Sequence, residues 1–322
     1  MQVITFTLLR NKEKIRVELE DNFICLLRQK IINEFGSIKK FCVAKNLPTD
    51  MVIFWLTNKV HRSNIPIPYF LLLIQELGIP VGEAVKNIKS YTTMGGHSAV
   101  KLPERIIIDE GFFSGMGLYV GDGYTSEKQP KIIFINTNHN LVKFFVYWLQ
   151  KYLKVSIKQL YATLYVSKKG KKEFIKLLQQ KEIIFKIYKT AKPHHKTNCR
   201  IMLCNAVYRY LLDSLIQLAQ RSCLDNQRFA IGYLKGIMAA EGCINIPKAR
   251  VPNLFIEMHI GKNIEHTEKL FRNLQIYYKK YPRPFGRTKL VVYRKDQLQR
   301  LKELNIFELH SEKQSKLNTL NL

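Results

Sequence analysis

Acidic residues are scarce in this chain. Its 322 residues hold 25 Asp and Glu against 52 Lys and Arg, a formal net charge of +27. An imbalance of that size points towards a polyanionic partner. Long apolar runs are also missing, since none approaches the length of a membrane span, and the N-terminus lacks a signal-peptide pattern. The expectation is therefore a cytoplasmic protein with no membrane partner. Cysteine is sparse and unpaired: Cys25, Cys42, Cys199, Cys204, Cys223 and Cys243 show no CxxC spacing, which argues against a zinc ribbon or a disulfide framework and for reduced, packed thiols. His194-His195 has no second ligand pair at metal-binding spacing, so it reads as part of a loop beside phosphates.

What is present is a repeated pattern. Gly117-Leu118-Tyr119-Val120-Gly121-Asp122-Gly123 and Gly236-Ile237-Met238-Ala239-Ala240-Glu241-Gly242 each read as a small-residue helix that stops at a carboxylate followed by glycine. Gly117 and Gly121 lie one helical turn apart, as do Gly236 and Ala240, so two such helices can bring their backbones close together. Asp122 and Glu241 then fall at two C-terminal helix ends, where the dipole is negative and a second carboxylate adds repulsion. Such a pair calls for a cation. Either stretch alone fits an ordinary packed helix, and the duplication is what favours a shared site. The positive excess follows the motifs: +5 in residues 1–100, +12 in 101–220 and +10 in 221–322.

The two stretches resemble the paired motifs of the LAGLIDADG homing endonucleases, over roughly Pro103 to the C-terminus. The resemblance implies an α+β fold, with two pseudo-symmetric αββαββα repeats after a small N-terminal helical domain. It also implies phosphodiester hydrolysis of double-stranded DNA by a monomer, with Asp122 and Glu241 both catalytic and binding Mg²⁺ or Mn²⁺. A basic residue in each half would support them, for which Lys313 is the second-half candidate and Arg221, placed just after a helix Ala206 to Gln220, the first-half one. The corresponding domains are residues 1–90, a linker at 91–102, and repeats at 103–221 and 222–322.

Hydrophobic periodicity supplies the elements. The first repeat reads as strand Lys131 to Asn136, helix Asn140 to Tyr152, strand Ile157 to Val166 and a Lys-rich helix Lys171 to Gln180. The second reads as strands Cys243 to Ile246 and Leu254 to His259, helix Ile264 to Leu274, β-rich Lys289 to Tyr293 and helix Gln297 to Leu304. Asp109 and Asp225 are the expected N-caps of the motif helices. On the strands, Lys131, Asn136, Lys158, Tyr161, Lys248, Arg250, Lys289 and Arg294 are the candidates for DNA contact, whereas Ile133, Ile135 and Val291 are expected in the core.

The first hundred residues read as a separate unit. Asp21 to Phe35, a helix capped by Ser37 through Ala44, and Thr49 to Leu56 have helix-turn-helix spacing, with Phe41, Leu47, Val52 and Trp55 as the small core. The run resembles the helix-turn-helix of Cro-like repressors, which implies that the third helix, opening at Thr49 and Asp50, meets DNA. Ile53 and Phe54 stand where that family often presents polar or basic residues. A helix Pro68 to Leu77 follows. Gln2 to Glu20 is expected to form a small hairpin, and Ser90 to Val100 a polar, Gly-rich linker.

Three functions are compatible with these residues. The first is a metal-dependent homing endonuclease. The second is a DNA-binding transcriptional regulator that keeps the fold without cleavage. The third is an intron-RNA-binding maturase using the same basic surface.

Overall fold

The computed structural model describes residues 2–57, 64–93, 98–126, 129–167, 171–189, 196–246, 252–259 and 264–321. The chain is α+β and divides into two compact units: Val3–Ile106 with Asn205–Leu212, and Met1–Gln2, Ile107–Cys204 with Asp213–Leu322. No helix among the described residues is long and apolar enough to cross a membrane.

The N-terminal elements run β1 (Gln2–Ile4), α1 (Thr5–Leu8), β2 (Ile15–Leu19), α2 (Asp21–Phe35), α3 (Ile38–Ala44), α4 (Thr49–Thr57), β3 (Ile65–Pro66), α5 (Ile67–Glu76), α6 (Val81–Ala84), β4 (Ile88–Thr93) and β5 (Arg105–Ile107). Local chemistry sets the helix ends. Gly36 closes α2 at φ +76°, where a side chain would be strained. The Ser37 hydroxyl accepts from the Lys40 amide and opens α3. Phe41, Leu47, Val52 and Trp55 are buried between α2, α3 and α4.

Two expectations fail here. Residues 2–20 form no hairpin, because β1 pairs with β5 and β2 lies between β3 and β4. Alternation marked the strands, but their partners lie far along the chain. Tyr91 to Thr93 are not linker: they belong to β4 and pair with β2, and Val100 returns to bridge Tyr91. The segment Asn205–Leu212 completes this unit. The Asn205 side-chain amide donates to the Ser98 carbonyl and hydroxyl, both at 3.2 Å, and the Tyr208 hydroxyl donates to the Lys101 carbonyl.

The larger unit begins with α7 (Glu110–Asp122), β6 (Gly123–Ser126), β7 (Gln129–Asn136), α8 (His139–Leu153), β8 (Leu160–Val166), α9 (Lys171–Gln180), β9 (Ile184–Lys189), β10 (Asn198–Cys204) and, from Asp213 on, α10 (Ala206–Asp225). It continues with α11 (Gln227–Glu241), β11 (Gly242–Asn245), β12 (Asn253–His259), α12 (Ile264–Asn273), β13 (Lys279–Arg283), β14 (Arg287–Val292), α13 (Lys295–Glu303) and α14 (Ser311–Asn318). Each motif helix leads into its own sheet, ordered β6-β7-β10-β8-β9 and β11-β12-β14-β13. All pairs in both sheets are antiparallel except β8–β9. Helix α8 fills one side of the first sheet, with Phe145 stacked on Phe134 at 4.3 Å and Trp148 fully buried. Burial of each such side chain contributes about 1.5–3 kcal/mol.

Asp109 caps α7 as expected, accepting from the Phe112 amide at 2.8 Å. The cap of α11 is Asn226, not Asp225. Asp225 is the last residue of α10, and the Asn226 side chain accepts from the Phe229 amide. Helix α10 also runs on through Gln220, so Arg221 is a helical residue. The strand expected from Ile157 starts at Leu160, after a short 3₁₀ turn that holds Lys158.

Candidate nucleic-acid interface and acidic site

Helices α7 and α11 pack with their backbones in direct contact, and glycine permits it. A Cβ on Gly117 would collide with the Tyr233 carbonyl, and one on Gly236 with the Ser114 carbonyl and the Leu118 amide nitrogen. A Cβ on Gly121 would clash with the Ala240 methyl and stand 3.4 Å from Glu241 Cγ. The helices therefore approach closely right to their C-terminal ends, where Asp122 and Glu241 are their last residues, both half-buried. Two helix dipoles and two carboxylates concentrate negative potential there.

Lys313, on α14, answers part of that charge. Its ammonium donates to the Ala239 carbonyl at 2.7 Å and the Ala240 carbonyl at 3.4 Å, two acceptors that the end of α11 leaves open. Burial pulls its pKa below the usual lysine range, while the charges of Asp122, Cys243 and Glu241 act in the opposite direction. One cation thus lies within electrostatic reach of both carboxylates.

Asn136 is the second neighbour. Its side-chain amide donates to Asp122 Oδ2 at 2.5 Å, and its carbonyl oxygen accepts from the Asn138 amide at 2.7 Å. The Asn138 side chain caps α8 and meets His310 Nε2 at 3.3 Å. Burial, then the charge of Lys313, lowers His310 to about 4. The imidazole is therefore neutral at pH 7. A chain of polar contacts runs from the loop before α14 to the carboxylate of α7.

Two carboxylates at adjoining helix ends offer oxygen donors of the kind a hard cation takes, while among the described residues no group of three or more His, Cys, Asp and Glu that could hold a metal stands together. Asp122 and Glu241 are the residues that would hold it.

The sheet faces follow from register. Phe134 packs on α8, so Ile132, Phe134 and Asn136 point to the helix side, and Lys131, Ile133 and Ile135 to the other. On that open face Ile133 pairs with Met202, and Ile135 with Arg200. Met202 and Arg200 also pair with Tyr161 and Thr163 of β8. In the second sheet Phe255 pairs with Val291 and Glu257 with Lys289, while Leu254, Ile256, Leu290 and Val292 are buried on the opposite side. Lys289 Nζ stands 3.5 Å from the centre of the Phe255 ring. Ile133 is buried, as expected of a core residue, although its side of the strand faces away from α8, whereas Ile135 and Val291 are only half-buried on the faces that carry the basic residues. Asn136 has the opposite parity and points to the motif helices.

Lys131, Tyr161 and Lys289 lie on the open faces. Lys158 is exposed, in the turn before β8. Arg294 follows β14 and is engaged by Asp296 through two hydrogen bonds of 3.1 Å. Lys248 and Arg250 lie outside the described residues, as does Pro193-His194-His195. Arg221 is an exposed residue of α10. Thr49 and Asp50 open α4, whose sequence carries no Lys or Arg and whose exposed residues include Met51 and Phe54. Sequence reasoning missed Arg200, Asn138 and His310. The alternation in Asn198–Cys204, with Cys199, Ile201 and Leu203 buried, is a signal that would have found the first.

No family model matches the chain and no curated protein matches it. Solved structures do. The chain is similar to the N-terminal LAGLIDADG domain of DUF199/WhiA, at 13% identity and TM-score 0.40, covering 63% of this chain and 83% of that one. It is similar to I-DmoI in complex with DNA and Mn, at 16% identity and TM-score 0.34, covering 60% and 94%. It is also similar to the LAGLIDADG meganuclease I-AabMI bound to uncleaved DNA, at 10% identity and TM-score 0.38, covering 66% and 88%.

Proposed function

We propose that this chain is a metal-dependent, site-specific endonuclease of double-stranded DNA, a monomer whose two motif-bearing halves act together. The observation that carries the reading is the junction of α7 and α11, where close-packed glycine helices end side by side at Asp122 and Glu241 next to Lys313. In this reading the two halves are pseudo-symmetric repeats. Lys131, Tyr161, Lys289 and the open faces of both sheets lie against the duplex, with Lys158, Lys248, Arg250 and Arg294 as further contacts. Helices α2 to α4 form an accessory helix-turn-helix.

The residues divide the work. Asp122 and Glu241 supply anionic oxygens that bind Mg²⁺ or Mn²⁺, which when bound activates water and neutralises the leaving oxygen. Asn136 fixes the orientation of the Asp122 carboxylate through its 2.5 Å hydrogen bond. Lys313, held on the C-terminal carbonyls of α11, places a positive charge where the phosphate becomes more negative during attack. In this reading Arg221 is the basic residue offered by the first half, from its exposed position on α10.

The position of Lys313 also favours a second reading. A lysine already near both carboxylates offsets their charge without metal, which suits a DNA-binding regulator that no longer cuts. Selection from a randomised duplex library, with and without Mg²⁺, distinguishes the two. A site that is recovered and cut supports the nuclease, whereas a site that is recovered only as an intact bound duplex supports the regulator.

A further inference from the structure

The first sheet has five strands and the second four, and the additional strand is β9 at an outer edge. It arises from a β8–α9–β9 crossover, the parallel connection in the sheet. Helix α9 buries Phe174, Leu177 and Leu178, and alternates on the helix side of β8 such as Ala162 and Leu164 are also buried. The opposite face of β9 is left uncovered.

Register extends that open face. Ile184, Lys186 and Tyr188 pair with Tyr161, Thr163 and Tyr165. Tyr188 stacks on Tyr165 with ring centres 5.9 Å apart, and the Arg200 guanidinium lies 5.9 Å from the Tyr165 ring. Arg200 is thus oriented by stacking, and its Nε is buried without a hydrogen-bond partner. All five strands lack Asp and Glu, while the open face carries Lys131, Lys186 and Arg200. A basic, aromatic face without acids complements a polyanion.

We infer that β9 is an additional DNA-contacting strand: Lys186, next to the Tyr165–Tyr188 pair, binds a backbone phosphate beyond those reached by the other four strands. The inference rests on the duplex-binding reading above. One more strand widens the surface by about 4.8 Å, more than the roughly 3.4 Å of helix axis per phosphate of one DNA strand. The footprint is consequently asymmetric, longer on the side of the first sheet.

The test uses the full chain on a duplex recovered by library selection, with hydroxyl-radical footprints and the salt dependence of affinity. Wild type should protect at least one phosphate more on one side of the site. Lys186→Gln should remove that outer protection alone and reduce the slope of log affinity against log salt by about 0.9. Arg200→Gln, on the central strand β10, should weaken protection further in and leave the outer protection in place, whereas Lys289→Gln, on the second sheet, should weaken protection on the other side. Lys186 is exposed, so the variant should unfold at the wild-type temperature. A symmetric footprint, unchanged by Lys186→Gln but altered by Arg200→Gln and Lys289→Gln, would overturn the inference while duplex binding stood. A wild-type protein that leaves no footprint would overturn both.

Discussion

Gly236 faces Ser114 so closely that a single methyl group on its Cα would overlap the Ser114 carbonyl oxygen. Gly117 stands in the same relation to Tyr233 from the other helix. The obstructing atoms are backbone, which cannot turn aside as a side chain would. Gly236→Ala should therefore force α7 and α11 apart and lower stability by about 1–3 kcal/mol, with Gly236→Leu costing more. Urea unfolding of the two variants measures this, and an unchanged midpoint for both would contradict the packing.

Lys313→Met should act on stability and on metal response in opposite senses. The variant leaves the Ala239 and Ala240 carbonyls without their ammonium and removes the cation near Asp122 and Glu241. A loss of about 1–3 kcal/mol is expected without metal. Mg²⁺ should then raise the melting temperature of the variant more than that of wild type, since it meets less competing charge. Equal metal-induced shifts would show that Lys313 does not share the carboxylates' field.

His310 gives a pH signature. Burial and the charge of Lys313 hold it at about 4, against about 6.5 for a free histidine. Between those values the unfolded chain carries a proton that the folded chain does not, so its contribution to stability is full above about pH 6.5 and is lost as pH falls towards 4. Wild type should lose stability over that window, and His310→Asn should lose less. Urea unfolding at pH 7, 5.5 and 4 tests the sign, and parallel curves for the two proteins would contradict it.

Much of the fold is legible in the sequence because its signals are local. Asp21–Phe35, the Ser37 cap and Lys171–Gln180 follow from turn chemistry and a 3.6-residue period. The glycines of the motif helices announce close packing because no other residue fits against a backbone. Side-chain parity on β7 is harder to read. In Lys-Ile-Ile-Phe-Ile-Asn the apolar residues do not alternate with polar ones, so only the stacking of Phe134 on Phe145 decides that Asn136 shares the α8 side with Phe134 while Ile133, itself buried, lies on the other. Long-range pairing is hidden in a similar way: nothing local in residues 2–20 indicates that β1 pairs with β5, or that Asn205 bonds Ser98. The choice of Asn226 over Asp225 as a cap turns on one residue, because both side chains can accept from an N-terminal amide.

The most direct measurement of the central claim compares wild type with Asp122→Asn and Glu241→Gln on a library-selected duplex in Mg²⁺ and in Mn²⁺, following binding and cleavage of each strand separately. The account predicts that wild type cuts both strands, and that each variant binds the duplex with affinity within a few-fold of wild type but abolishes cleavage or leaves slow nicking, because an oxygen ligand has been lost. A wild-type protein that binds its selected site tightly yet leaves both strands intact, or variants that cut as fast as wild type, would contradict it.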